Sequence, residues 1–417
     1  MPVTGIFRFG DAATRFARGH KWVTFGVFSA AMLAPPASTV QTFRNARIVT
    51  PDDVIGGDVV VEDGCIASVG PTAGAPAGAV VDFAGDYLLP GFVDIHTDNV
   101  ERHIRPRPGV WWPAGPAIAA HDAQIAGAGI TTVLNALAVG AYQGRGDRPR
   151  VLAEAVAALD FALAAGSLRA DHYLHLRLEV SDPAVVELFE PVAEHPRVRM
   201  ASLMDHTPGQ RQWRDLARYK AFRMGRLELN EDEYEADVAT KLREQEVYAD
   251  RHREQIVELV GGLEVRLASH DDTTREHVVD AAALGATISE FPTTPEAADE
   301  ARSRGLRTVM GAPNVVRGGS HSGNASALAL AGAGLLDALA SDYVPSSLCL
   351  AALRLADEIG ITLPRAIAMI SLVPAQLAGF ADRGAIAPGL RADMVRMDIV
   401  GGVPAVKAVW RSGERVF

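Results

Sequence analysis

The chain has 417 residues, 48% of them hydrophobic and 22% charged, with 40 Lys and Arg against 51 Asp and Glu and a formal net charge of −11. That apolar content excludes a disordered or fibrous protein, and the acidic balance argues against nucleic acid as a partner. Cys65 and Cys349 are the only cysteines, too few for a disulfide framework or a thiolate metal site, so the compartment that fits is the cytoplasm and any metal must be held by His and carboxylate.

Arg8, Arg15, Arg18 and Lys21 precede an apolar stretch from Trp22 to Leu33, the outline of a secretory leader, though too short to span a bilayer. We prefer a translation start downstream, for which Met32 is available, and set residues 1–40 apart from the fold. No later segment has the length and purity of a transmembrane helix, so no membrane partner is expected. From Thr42 to Asp82 the chain reads as short β runs, Ala46–Thr50, Asp58–Glu62 and Ile66–Val69, with Asp63-Gly64 as a hairpin turn between two of them. From Leu89 onward apolar strands alternate with Ala/Leu-rich helices, the pattern of a parallel sheet with crossover helices. Eight strands are predicted, at Gly91–Thr97, Thr131–Asn135, Tyr173–Val180, Val198–His206, Glu264–His270, Ala286–Glu290, Arg307–Gly311 and Leu339–Asp342. The fold class is therefore α/β, a (β/α)8 TIM-like barrel over residues 89–379. It carries a helical insertion at about 208–262, helical from about Glu231 to Val260. Residues 41–88 and 380–417 form a small discontinuous β-sandwich domain built from both chain ends.

Active sites of such barrels lie where the strands end, so a polar residue closing an apolar strand is informative. The first strand closes with His96-Thr97-Asp98, and the two-residue period puts His96 and Asp98 on one face. The third carries leucines on one face and His175, Arg177 and Glu179 on the other, with Glu179 placed to bridge two cations. Further strands end at Asp205-His206, Ser269-His270-Asp271-Asp272 and Ser341-Asp342. A lone strand-end His is more often a hydrogen-bonded rim residue than a ligand; it is the joint pattern that points to metal. His121 reads as a helix-face hydrogen bond, and His103, His172, His195, His252 and His277 as structural or surface residues. Positive charge gathers beside the same rim: Arg102, His103, Arg105 and Arg107 after the first strand, Arg211 and Arg214 after His206, and Arg317-Gly318-Gly319-Ser320-His321-Ser322-Gly323-Asn324 after the seventh, leading into a helix near Ala325 whose N-terminus could cradle a phosphate. A polyanionic small molecule is the substrate class expected.

Leu89-Pro90-Gly91-Phe92-Val93-Asp94-Ile95-His96 and the closing Asp382-Arg383-Gly384 with Gly389 and Ala392-Asp393 resemble the amidohydrolase superfamily. A narrower resemblance covers residue 42 to the end. His96-Thr97-Asp98-Asn99, Arg105-Pro106-Arg107-Pro108, His121-Asp122-Ala123, Ser202-Leu203-Met204-Asp205-His206, Ser269-His270-Asp271-Asp272, Glu290-Phe291-Pro292-Thr293-Thr294 and Gly311-Ala312-Pro313-Asn314 with the Arg317–Asn324 loop are similar to the PhnM group of diphosphatases of the carbon–phosphorus lyase pathway. That resemblance implies hydrolysis of α-D-ribose 1-methylphosphonate 5-triphosphate to the 5-phosphate and pyrophosphate. Asp98 stands where the superfamily usually has a second His, a departure the PhnM group shares. This hard carboxylate leaves manganese and magnesium open beside zinc.

The expected arrangement is two divalent ions held by His96, Asp98, Glu179, His206, His270 and Asp342, with Glu179 between them. Asp342 orients the attacking water and takes its proton, while Arg105, Arg107, Arg177, Arg317 and His321 contact phosphate or phosphonate. The alternatives are an amidohydrolase or deaminase acting on a C–N bond, and a barrel without activity that serves as a scaffold. A homo-oligomer is compatible with all three.

Overall fold

The computed structural model describes residues 39–71, 78–140, 148–227, 229–320 and 323–417. His321 and all but the last two residues of the leader lie outside these. The first strands are β1 (Val40–Val49), β2 (Val54–Glu62), β3 (Cys65–Gly70), β4 (Ala79–Asp82) and β5 (Tyr87–Pro90). Asp63 and Gly64, with φ of 49° and 79°, make the two-residue turn that joins β2 to β3, a conformation whose twist matches that of the flanking strands. The barrel strands follow: β6 (Phe92–Thr97), β7 (Ile130–Val139), β8 (Asp171–Glu179), β9 (Val198–Met204), β10 (Arg266–His270), β11 (Ile288–Glu290), β12 (Arg307–Gly311) and β13 (Ala338–Ala340). The chain ends in β14 (Met394–Val400), β15 (Val403–Arg411) and β16 (Glu414–Arg415).

The strands β6 to β13 pair in parallel in sequence order. The ring closes just past the ends of its first and last strands, where Asp342 N donates to His96 O at 2.9 Å and Asp98 N to Asp342 O at 2.7 Å. Two would-be ligands thus sit on the seam itself. Strand β8 shows why the barrel has a polar upper interior: Leu174, Leu176 and Leu178 pack outward on the helices, which leaves His175, Arg177 and Glu179 inside. Lower down, Val93, Ile95, Leu134, Met200, Ala268, Ile288 and Val309 fill the barrel, and Phe380 packs at a tilt against Tyr173 with ring centroids 4.9 Å apart to plug the end where strands begin. Between β9 and β10 run helices over Leu216–Leu227 and Glu231–Val260. Asn230 and Glu233 cap the second reciprocally at its N-terminus. Arg253 of this helix pairs with Asp205 at 3.1 Å and His252 donates to Val180 O at 3.0 Å, which docks the insertion on the rim.

The other strands form one sheet in the order β16-β15-β14-β5-β1-β2-β3, with β4 beside β1. This sheet folds over on itself: Phe43 of β1 meets Trp410 of β15 at 5.2 Å, and both touch Phe83 inside a common sandwich-like core. Its C-terminal part is tied to the barrel by Asp171, at the start of β8, whose carboxylate receives Arg391 at 2.6 Å, Arg383 at 2.9 Å and Arg411 at 3.4 Å. Burial works against its charge, but these arginines hold it below the ordinary carboxylate value of 3.8. Asp171→Asn is expected to destabilise the fold by about 2–3 kcal/mol at neutral pH, because Arg411 loses its carboxylate partner while Arg383 and Arg391 keep only Asp382 and Asp393. A depressed folded value stabilises above 3.8 and fades as pH falls through that lower value, so urea midpoints of wild type and variant should differ from neutral pH down to about pH 4 and converge only in stronger acid.

Candidate active site and metal centre

His96, His206 and His270 close β6, follow β9 and close β10, and all three are buried. Their Nδ1 atoms face carboxylates: His96 donates to Glu290 Oε1 at 2.6 Å, His270 to Glu290 Oε2 at 2.7 Å and His206 to Glu179 Oε2 at 2.7 Å. The three Nε2 atoms are the ones turned toward the rest of the cluster. His96 Nε2 lies 3.5 Å from Asp98 Oδ1, while His206 Nε2 and His270 Nε2 lie 3.7 and 3.4 Å from Asp271 Oδ2. Among the described residues two groups have the spacing of a metal site, His96–Asp98–Asp342 and His206–His270–Asp271. A third, His96–His175–Glu290, is a hydrogen-bonded set: His175 donates from Nδ1 to Ile95 O at 3.0 Å, and Ser202 Oγ lies 2.5 Å from its Nε2 and 3.0 Å from Glu290.

The backbone turns sharply to present these groups. Asp271, Phe291 and Asp342, each just past the end of a strand, all have φ of 56°, rare for residues with a side chain. Their amides bond to Glu290 O, Val309 O and His96 O, each at 2.9 Å, so every turn is fastened to a neighbouring strand.

Charge in the cluster is poised for a cation. Burial disfavours a charged His96, yet Glu290 and Asp98 overcome it and push its pKa up to about 10. Glu290 is held well below its usual value, the charge of His96 outweighing burial. Asp342 is pushed up to about 7, first by burial and then by the negative charge of Asp98. Asp98 and Asp342, whose negative charges oppose each other, stand with His96 at the spacing of a metal site, and such a set fits a divalent metal.

The sequence-predicted ligands His96, Asp98, His206, His270 and Asp342 stand together in this geometry. Glu179 sits beside them as a hydrogen-bond partner of His206 and Ser181. Asp271 takes a place in the cluster that the strand-end reading did not single out, and Glu290 was missed, although a carboxylate closing β11 carries the same signal as those closing other strands.

A cleft opens beside Asp271 and Asp342 and is lined by Gln212, Phe291, Pro292, Asn314, Arg317, Gly319, Ser320, Asn324 and Tyr343 among others. Of the arginines expected to meet substrate, Arg317 lines this cleft. Arg105 and Arg107 are absent from its described lining; Arg107 lies exposed in the turn after the helix Asn99–Ile104, and Arg105 is half-buried where that helix ends. Arg177 donates to Asp98 Oδ1 at 2.6 Å, and its charge holds Asp98 below the ordinary range against burial. Arg211 is paired with Asp272 at 2.6 Å and Arg102 with Tyr343 O at 2.7 Å. The helix after the glycine-rich loop, Ala327–Gly332, already uses two of its first amides: Ala327 N donates to Asn314 Oδ1 at 3.0 Å and Ala329 N to Ser326 Oγ at 3.3 Å. Its N-terminus is therefore less open to a phosphate than the sequence reading expected.

A parallel barrel with His and carboxylate ligands on its rim and a curled sheet from both chain ends defines a metal-dependent hydrolase of one class: the chain belongs to the amidohydrolase family, whose profile matches residues 87–416. It is 40% identical over 376 residues, 90% of this chain and 99% of the relative, to the α-D-ribose 1-methylphosphonate 5-triphosphate diphosphatase of Escherichia coli K12. It also shares 33% identity with a D-hydantoinase of Rhizobium radiobacter, over 35% of this chain and 29% of that one. Among solved structures, N-acetyl-D-glucosamine-6-phosphate deacetylase of Mycobacterium smegmatis has the same fold, with a TM-score of 0.59 at 18% identity over 91% of this chain and 100% of that one. No helix among the described residues is long and apolar enough to cross a membrane.

Proposed function

We propose that this chain hydrolyses α-D-ribose 1-methylphosphonate 5-triphosphate to the 5-phosphate and pyrophosphate, a step in phosphonate catabolism. The observation that carries this reading is 40% identity along 99% of the length of the Escherichia coli diphosphatase. Arg317 in a cleft that shares Asp271 and Asp342 with the histidine cluster supports phosphorus over a C–N bond as the centre attacked. His96, Asp98 and Asp342 would hold one divalent ion and His206, His270 and Asp271 a second, with Glu179 close to both His206 and the rim. Manganese, zinc and magnesium all suit such mixed ligands. When bound, such ions bring the pKa of water down towards neutrality.

In the reaction a water oxygen bonds to the α-phosphorus, the bridging α–β anhydride bond breaks, and pyrophosphate leaves with the electron pair. Asp342 orients the water and takes its proton. Glu290 keeps the His96 and His270 rings in one tautomer, and Arg177 fixes Asp98. Arg317 offers its fork to the phosphate chain. A small phosphorylated sugar phosphonate is thus the partner, no nucleic acid or membrane is required, the cytoplasm is the compartment we propose, and a homo-oligomer remains compatible.

Phosphorus NMR of manganese-loaded enzyme should show pyrophosphate released from the ribose triphosphate and none from ATP. Intact ribose substrate from metal-loaded protein would overturn the reading. Arg317→Ala is expected to raise KM about tenfold or more while kcat falls less, since a charge-assisted contact to the ground-state phosphates is removed. Steady-state pyrophosphate release measures both.

A further inference from the structure

The two groups with the spacing of a metal site differ in what else holds their ligands. Asp98 Oδ1, the oxygen 3.5 Å from His96 Nε2, is also the oxygen that receives Arg177 Nη1 at 2.6 Å. Asp271 Oδ2, by contrast, faces the imidazoles of His206 and His270, and among the described residues no arginine or lysine pairs with it. Arg211 belongs to the surroundings of this second group, but it binds Asp272 at 2.6 Å and the backbone oxygen of His270 at 2.8 Å, so its charge is met by a carboxylate outside the group.

The grip of Arg177 on Asp98 is built into the barrel. Arg177 points inward between Leu176 and Leu178, which pack outward on the helices. Its side chain is 13% exposed, so water screens its charge little. Asp98 is the one hydrogen-bond partner the described residues give it, and its buried Nε has none, so no other hydrogen bond draws the guanidinium away. An ion entering between His96, Asp98 and Asp342 has to share Asp98 with a neighbour of its own sign. Glu179 behind His206 adds negative charge to the second group, whereas Glu290 backs one ring of each and favours neither. Ligand type alone orders the groups the other way for a hard ion such as manganese, since the first offers two carboxylates and the second one.

We propose that Arg177 sets the order in which the two groups take up metal: its charge on Asp98 makes His96–Asp98–Asp342 the weaker site, filled after His206–His270–Asp271. The inference rests on the two-ion reading of the site and is independent of the substrate.

Manganese added to the metal-free enzyme, with the unbound ion read by its electron paramagnetic resonance signal, tests this without any turnover. Wild type should bind two ions whose affinities differ by about 10- to 100-fold, the scale on which a group behind a ligand alters metal affinity. Arg177→Met removes the charge and nearly keeps the length; it should strengthen binding of the weaker ion and leave the tighter one unchanged. Arg177→Lys, which keeps the charge, should resemble wild type. Asp271→Asn, tolerated at a φ of 56°, should weaken the tighter ion and thereby assign it. Two ions of equal affinity in wild type would overturn the proposal, as would a weaker ion bound no better in Arg177→Met, or an Asp271→Asn variant that loses the weaker ion and keeps the tighter. A single ion in wild type and in Arg177→Met alike would bring down the two-ion reading and this order with it, and would leave the diphosphatase reading to its own test.

Discussion

Glu290→Gln is expected to lower metal affinity at least 10- to 100-fold and to reduce kcat/KM in parallel, with the fold intact. The carboxylate stands between His96 Nδ1 at 2.6 Å and His270 Nδ1 at 2.7 Å and accepts from both. A glutamine of the same shape can accept from one ring only. Its amino group then faces the other ring's Nδ1, which must give up its proton there and carry it on Nε2, turning a donor hydrogen toward the cluster where a lone pair is needed. One imidazole ligand is lost without any change of volume. The buried negative charge beside His96 is lost as well. Metal content after dialysis against a fixed free-manganese concentration, with a thermal melt as the control for folding, measures the effect. Wild-type metal content and turnover in this variant would show that Glu290 does not set the two tautomers.

The lengthwise arrangement of the chain was legible because it is written in local periodicity. Strand β12 falls on Arg307–Gly311 and the insertion helix on Glu231–Val260, as their patterns predict, and the alternation in β8 separates its leucines from His175, Arg177 and Glu179. The site was only partly legible, because its decisive contacts run around the barrel. Glu290 meets His96 across 194 positions, and nothing near either residue announces the pairing. The arginines show the same limit. Arg211 reads as positive charge beside a rim and Arg177 as a phosphate contact on the inner face of a strand, but Asp272 and Asp98 neutralise them at 2.6 Å each, while Arg317 faces the cleft. Composition reports how many charges a loop has; the angle around the barrel decides which remain for a ligand. Asp271 was obscured for a related reason, since its backbone at φ of 56° breaks the alternation that locates residues along a strand.

Asp342→Asn is expected to lower kcat by about 10²- to 10⁴-fold, the range for loss of a positioned general base. The substitution is a clean one. Asparagine tolerates the positive φ of 56° that position 342 requires, and the seam of the barrel is held there by backbone groups, Asp342 N to His96 O and Asp98 N to Asp342 O, which the variant keeps. What changes is the proton inventory: a carboxylate can take a proton from water, and a carboxamide cannot. It also removes one negative charge next to Asp98, the neighbour that, after burial, raises the pKa of Asp342. Metal content must therefore be measured beside turnover. A fall in kcat that persists when the variant is saturated with manganese isolates the proton-accepting role. Recovery of full turnover on saturation would assign Asp342 to metal binding alone, and full turnover at unchanged metal content would remove it from the mechanism.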